Sequence, residues 1–262
     1  MVDDIAVRAW DAEYASGRYE GEPPVGFADD IVAAAKDAGA GSGLYIGCGN
    51  GRNYIPLTEA GLDLTGLDIS ATAISQLAGR LPGRRDRLVT GDLSALPAGE
   101  RFPLVVAIQV MQHGTRAQTH DLLAGALAVV APGGLFAVRV NAVGTDVHHR
   151  HEVTERDADG SFSVRYTDGP KAAMTVHFWA ARELESAVTG AGFAPVMALR
   201  PQATWRARRA QGLWLQWEGI YRQAADGDRD GGQPGRGSGP SRLPRGCRGS
   251  DGAQILPSRP GK

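Results

Sequence analysis

The run Leu44-Tyr-Ile-Gly47-Cys-Gly49-Asn-Gly51-Arg-Asn53 constrains the fold more than any other stretch of the chain. A short apolar segment, Gly43–Gly47, enters a turn with glycines at every second position and leaves as a helix from about Arg52 to Ala60, stopped by Gly61. Glycine is needed where the backbone enters positive φ, or where a Cβ would keep a ligand from the main chain. In an open parallel sheet such turns lie at the carboxyl ends of the strands, where ligands bind.

The same alternation continues downstream. Leu62–Ile69 reads as a second strand, and Ser70 is placed to cap the helix SATAISQLAGRL. Arg87–Gly91 is a third strand. Pro103–Val110 is a fourth, with the unbroken hydrophobicity of a strand covered on both faces. A helix over Gln118–Val130, a turn at APGG and a fifth strand at Leu135–Val140 follow. Parallel neighbours need crossover connections, so five strands separated by helices predict a doubly wound, mostly parallel α/β sheet. Between His149 and Trp179 polar and apolar residues alternate around DADG and TDG, which predicts a small antiparallel β excursion. Glu183–Ala191 returns to helix, and Phe193–Leu199 and Leu213–Tyr221 supply two more strands, making seven with an antiparallel last strand.

Composition sets the limits. The 262 residues carry 28 basic and 29 acidic side chains, a balance that gives no support to nucleic-acid or membrane binding. No apolar run approaches the roughly 20 residues of a membrane-spanning helix, and the first residues lack a secretory pattern. With two cysteines, Cys48 and Cys247, no disulfide framework is expected and a cytoplasmic setting is. From Asp226 to Lys262 ten glycines and five prolines leave too little apolar surface to offset ordering entropy, so 226–262 reads as a disordered Gly/Pro/Arg-rich tail behind a domain of residues 1–225.

Asp68 ends the second strand, where a carboxylate can accept from both hydroxyls of a ribose. Turn and acid together leave a dinucleotide and a simple nucleoside open. The G-x-G-x-G spacing, with Arg52 where a dinucleotide fingerprint has its last glycine, weighs against the former.

Taken in order, LYIGCGNGRN, LTGLDIS, VTGDLSALP, FPLVVAIQVMQH and VVAPGGLFAVRV resemble the class I S-adenosylmethionine-dependent methyltransferase family, from about Gly43 to Val140. GCGNGRN followed by an LTGLD-type strand looks most like its small tellurite-resistance-type branch, whose members methylate small molecules. Pro103 stands where many members begin the fourth strand with Asp. The resemblance implies a Rossmann-like fold divided into an N-terminal lid and helix (1–42), a cofactor-binding half (43–142) and a substrate-side half (143–225). It implies S-adenosyl-L-methionine as cofactor, a small-molecule acceptor reached by in-line attack, and a monomer or homodimer. By the family pattern Gly47, Gly49 and Gly51 hold the methionine part, with Arg52 and Asn53 near its charged groups. Asp68 binds the ribose, Ile69 packs on the adenine, Asp92 accepts from its amino group beside Leu93, and Gln109 lies under the sulfonium. Met111 and Gln112 then face the acceptor.

An aromatic segment with Trp10, Tyr14 and Tyr19 precedes the first strand; it either covers the site and binds the acceptor or packs as a plain helix on the sheet. Phe162, Tyr166 and Phe178 of the excursion are expected to form the opposite wall. His113, just after the fourth strand, is the candidate base or else a structural hydrogen-bonding residue. Cys48 reads as a buried filler, and Val147-His-His-Arg-His151 as a solvated loop without metal-ligand spacing. Two rival functions remain at this stage: a non-catalytic nucleoside-binding protein and a nicotinamide-dependent oxidoreductase.

Overall fold

A computed structural model of the chain describes residues 4–169, 171–206 and 212–225. The expected tail, 226–262, lies outside them. The central feature is a seven-stranded sheet of β1 (Ser42–Ile46), β2 (Asp63–Asp68), β3 (Leu88–Thr90), β4 (Phe102–Ile108), β5 (Val130–Asn141), β9 (Phe193–Trp205) and β10 (Leu213–Gln223), in the spatial order β3-β2-β1-β4-β5-β10-β9. The first five strands pair in parallel, and β10 runs antiparallel between β5 and β9. Strand order reverses between β1 and β4, so the crevice of this sheet opens above their carboxyl ends.

Helices cover both faces, which is why the central strands read as continuous apolar runs. Tyr45, Leu104, Val106 and Ile108 point to one side. There they meet α2 (Phe27–Asp37), α3 (Tyr54–Glu59) and α4 (Ala71–Arg80) through Phe27, Ile31, Tyr54, Leu57 and Leu77. Leu44, Ile46, Val105 and Ala107 point to the other. They pack with Leu123 and Leu127 of α5 (Arg116–Ala128) and Leu184 and Val188 of α6 (Ala181–Gly190). The first helix, α1 (Asp4–Ala15), rests on α4 instead.

Several boundaries differ from the sequence reading for local reasons. Helix α5 starts at Arg116 rather than Gln118, because Thr115 and Gln118 form a reciprocal capping box that satisfies two open N–H groups. APGG is a bulge inside β5, not a turn before it: Phe102 lies opposite Val130 and Leu104 opposite Leu135. Strand β9 continues six residues past Leu199 through the polar stretch 200–205, where Arg200 pairs with Glu218 of β10 (3.0 Å). Ser70 caps α4 as expected, its Oγ accepting from the Ala73 N–H (3.1 Å).

The excursion is a second, three-stranded antiparallel sheet of β6 (His151–Arg156), β7 (Phe162–Tyr166) and β8 (Thr175–Phe178). It is stitched to the segment that follows β4. The His177 N–H donates to the Gln112 carbonyl (2.8 Å), and the Gly114 N–H to that of Thr175 (2.9 Å). A buried polar brace reinforces the joint. Glu183 at the start of α6 accepts from Arg116 Nε (2.7 Å), His120 Nε2 (2.9 Å) and His177 Nε2 (3.1 Å). His177 Nδ1 stands 3.0 Å from Ser163 Oγ, so three residues mimic a nucleophile triad. Ser163 and His177 are fully buried and the serine hydroxyl donates to Glu155 (2.7 Å), which makes the cluster a structural tie.

Burial pushes the Glu183 carboxyl up, but the hydrogen bonds of His120 and His177 and the charge of Arg116 prevail and hold it well below the ordinary 4.5. A depressed carboxylate stabilises the fold above its ordinary value and loses that contribution as pH falls. Glu183→Gln is therefore expected to lower the unfolding free energy by about 3 kcal/mol at pH 7. In urea titrations the gap from the unmodified protein should narrow once the pH drops below 4.5.

Candidate functional site

The turn after β1 is shaped by two close approaches. Gly47 (φ +68°) and Gly49 (φ +56°) take left-handed conformations, and a Cβ on Gly47 would stand 2.1 Å from Val110 Cγ2. At Gly51 (φ +101°) it would meet Leu77 and Ile55, so that glycine serves the packing of α3 on α4. Asp68 closes the turn from the side. Its Oδ2 accepts from the Gly49 N–H (2.8 Å) and its Oδ1 from the Ser70 N–H (2.9 Å). Burial pushes this carboxyl above the ordinary carboxylate range, against the pull of the two N–H groups. Two of its four lone-pair directions are used, leaving each oxygen able to accept once more.

Helix α1 roofs the turn. Asp11 Oδ1 accepts from Ser70 Oγ (2.6 Å) and the Thr72 N–H (3.0 Å), setting a carboxylate on the amino end of α4. Those two hydrogen bonds, that of Ser70 first, lower its pKa. Gln76 Nε2 holds the Tyr14 carbonyl (2.9 Å) at the other end of α1. The Tyr14 hydroxyl consequently sits 2.5 Å from where a Cβ of Gly49 would be. Trp10, Tyr14 and Tyr19 pack together with centroids 5.7–6.5 Å apart.

Beneath this roof lies a cavity of about 700 Å³. Of the residues expected at the site, Gly47, Gly49, Asn53, Asp68, Ile69, Asp92, Leu93, Gln109, Gln112, His113, Tyr14 and Tyr19 line it. Gly51, Met111 and Phe162 do not. Met111 is fully buried in the core against the α5 and α6 layer, and its carbonyl accepts from Trp179 Nε1 (2.7 Å). Asn53 Oδ1 accepts from the Val25 N–H (2.9 Å), and Arg52 binds Glu22 (2.8 Å) and the Pro23 carbonyl (2.7 Å). Both therefore secure the chain entering α2. Asp92 caps the short 3₁₀ turn Leu93–Ala95 through the Ser94 N–H (2.9 Å) while still facing the cavity. Gln112 braces β5, accepting from the Asn141 N–H (2.7 Å). Cys48 is buried, as expected of a filler, and burial raises its pKa.

His113 occupies the floor opposite Trp10, with ring centroids 4.8 Å apart and edge to face. Gln109 adopts φ +61°, a strained conformation for a side-chain-bearing residue. Its carbonyl lies 3.1 Å from His113 Nε2. That carbonyl can only accept, so the proton resides on Nε2 and Nδ1 keeps its lone pair. Nδ1 is buried without a partner. Burial first, then the charge of Lys171, push His113 down to about 3, so the ring is neutral through the physiological range.

Residues the sequence reading did not single out also line the cavity. They include Lys171 in the turn before β8, Arg18, Arg206, and Trp214 of β10. Among the described residues no group of three His, Cys, Asp or Glu is placed to hold a metal ion. The contact between roof and turn is directly testable. Gly49→Ala should cost about 2 kcal/mol in thermal or urea unfolding, from left-handed strain plus the clash with the tyrosine hydroxyl. Tyr14→Phe in the same chain should recover roughly 1 kcal/mol of it, whereas additivity of the two changes would contradict the contact.

Residues 44–134 match the family described as "Methyltransferase domain". A ubiquinone biosynthesis O-methyltransferase from Methylobacterium sp. (strain 4-46) is 39% identical over 97 residues, 35% of this chain and 37% of that protein. One from Rhodopseudomonas palustris (strain BisB18) is 34% identical over 111 residues, 40% of this chain and 42% of its own length. The match thus spans about two fifths of these relatives. In structure the chain is similar to the magnesium protoporphyrin IX methyltransferase of Synechocystis PCC 6803, solved with bound SAM. The TM-score is 0.57 at 16% identity, over 86% of this chain and 99% of that one, a likeness of fold alone. Residues 44–134 thus match a methyltransferase domain, and the sheet they build has the fold of a solved methyltransferase.

Proposed function

We propose that the chain is an enzyme that uses S-adenosyl-L-methionine to methylate a small molecule, with a hydroxyl oxygen as the accepting atom. The observation that carries the reading is the cradle itself: two glycines whose Cβ positions are blocked, facing a buried carboxylate with spare acceptor capacity, under a cavity of about 700 Å³. That volume lies within the usual range for small-ligand sites. The bare backbone at Gly47 and Gly49 suits the methionine part, Asp68 the ribose hydroxyls, and Ile69, Asp92 and Leu93 the base, with Asn53 and Gln109 beside them. Tyr14, Tyr19 and Gln112 fall to the acceptor side. The choice of oxygen is supported by the O-methyltransferase relatives.

When bound, the sulfonium supplies an electrophilic methyl group, and the protein contributes position, dryness and charge. Helix α1 excludes water from above, and the sheet ends fix the floor. His113 Nδ1 keeps a lone pair with which to accept a hydrogen bond from an acceptor hydroxyl, since Gln109 holds the opposite nitrogen. An imidazole pushed down to about 3 is a weak base, which leaves proximity and desolvation as the main contributors. Among the described residues no helix is long and apolar enough to cross a membrane.

Calorimetry with S-adenosylhomocysteine and NAD should give binding of the former alone. Asp68→Asn should weaken it by roughly 10- to 100-fold, the worth of hydrogen bonds to a charged acceptor, with the unfolding transition retained. Mass spectrometry of a panel of phenols and alcohols should then find products heavier by one methylene, and His113→Ala should slow turnover by no more than about tenfold. Binding of NAD in preference, or an unchanged affinity in Asp68→Asn, would remove the reading. A cofactor that binds without any product would point to a non-catalytic binder.

A further inference from the structure

The cavity contains a positive charge that the methyl-transfer reading does not use. Lys171 follows β7 in a tight turn, where its carbonyl accepts from the Met174 N–H (2.9 Å) and the Ala173 N–H bonds the Tyr166 carbonyl (2.8 Å). Ala173 is held at φ +69°, so the turn is strained into a fixed shape. The ammonium has no hydrogen bond or ion pair with any described residue and lies 5.7 Å over the Trp10 ring. The two other cations on this side are engaged: Arg18 with Glu13 (3.2 Å), and Arg206 with the Asp146 carbonyl (2.6 Å). Glu22, an acid on the same rim, is committed to Arg52 (2.8 Å). Lys171 therefore lines the cavity with an ammonium that no described residue pairs.

We propose that Lys171 is a substrate-binding residue and that the acceptor is a monoanionic arene, its carboxylate on the Lys171 ammonium and its hydroxyl towards His113. The inference rests on the methyltransferase reading for the role of the bound molecule, but not for the charge it carries. Trp10 makes the geometry specific, since the same indole meets Lys171 and, edge to face at 4.8 Å, the His113 ring. The ammonium and the imidazole thus flank one indole, and a substituted ring bound against it would carry its two polar groups towards them. Tyr166 and Phe178, on the strands either side of the turn, supply the facing aromatic wall. One unpaired ammonium matches the single charge of a carboxylate better than a phosphate, which carries nearer two. Burial, then the field of Arg18, push Lys171 down to about 8 against the opposing pull of Glu13, which still leaves it protonated at neutral pH.

Binding distinguishes this proposal without relying on turnover. The full chain is titrated calorimetrically at pH 7 with 4-hydroxybenzoate and its neutral isostere 4-hydroxybenzamide, with and without S-adenosylhomocysteine. The acid should bind about tenfold more tightly than the amide. Lys171→Met should abolish that preference while leaving S-adenosylhomocysteine affinity and the unfolding transition within error, and Lys171→Arg should retain part of it. Equal binding of the two probes, no binding of either, or a preference surviving in Lys171→Met would overturn the proposal. A preference for the acid in a protein that fails to bind S-adenosylhomocysteine would support the anion subsite and remove the methyltransferase reading.

Discussion

The carboxylate of Asp68 joins elements that the sheet alone would leave independent. One oxygen receives the Gly49 N–H and so fixes the glycine turn; the other receives the Ser70 N–H and fixes the start of α4. Ser70 passes the constraint on, because its hydroxyl holds Asp11 and thereby the roof helix α1. The arrangement has a cost, since burial disfavours the ionised form and raises its pKa. A residue selected for stability alone would not sit there as an acid. The expense is intelligible if the spare lone pairs serve a ligand.

The site combines two kinds of wall. Its floor consists of the ends of β1, β2 and β4, anchored by hydrophobic clusters on both faces of the sheet. Its roof and far wall come from α1 and from the β6–β8 excursion, which meet the floor mainly through polar contacts and aromatic edges. A rigid floor is suited to an invariant ligand. Walls on separable elements are suited to an individual one, because they change without disturbing the core. The backbone strain at Gln109 and Ala173 lies where these two parts meet the cavity.

Much of this could be read from residue order, and what was missed shares a cause. Strands β1 to β5 announce themselves as apolar runs, and the turn as glycines followed by Asp68, because these depend on periodicity and local backbone freedom. The beginning of α5 and the bulge at APGG were misplaced because a side chain cap and a strand register are not visible as hydrophobicity. Asp11 and Lys171 carried no sequence mark at all. Asp11 finds Ser70 59 residues away, and Lys171 matters because a fold brings its turn over Trp10. Met111 was assigned to the acceptor by its neighbours along the chain, whereas the bend after β4 turns it into the core. The likeness to the tellurite-resistance branch rests on the glycine turn and β2. The methyltransferase-domain match over residues 44–134 covers both, so they do not decide between branches.

The central claim is that a sulfonium nucleoside sits between the glycine turn and α1. Hydrogen–deuterium exchange on adding S-adenosylhomocysteine reads both surfaces at once. The account predicts slower exchange in residues 4–15 and 47–53 together, with the outer strands β9 and β10 unaffected. Unchanged exchange in both segments at saturating ligand, or protection confined to the excursion, would contradict it.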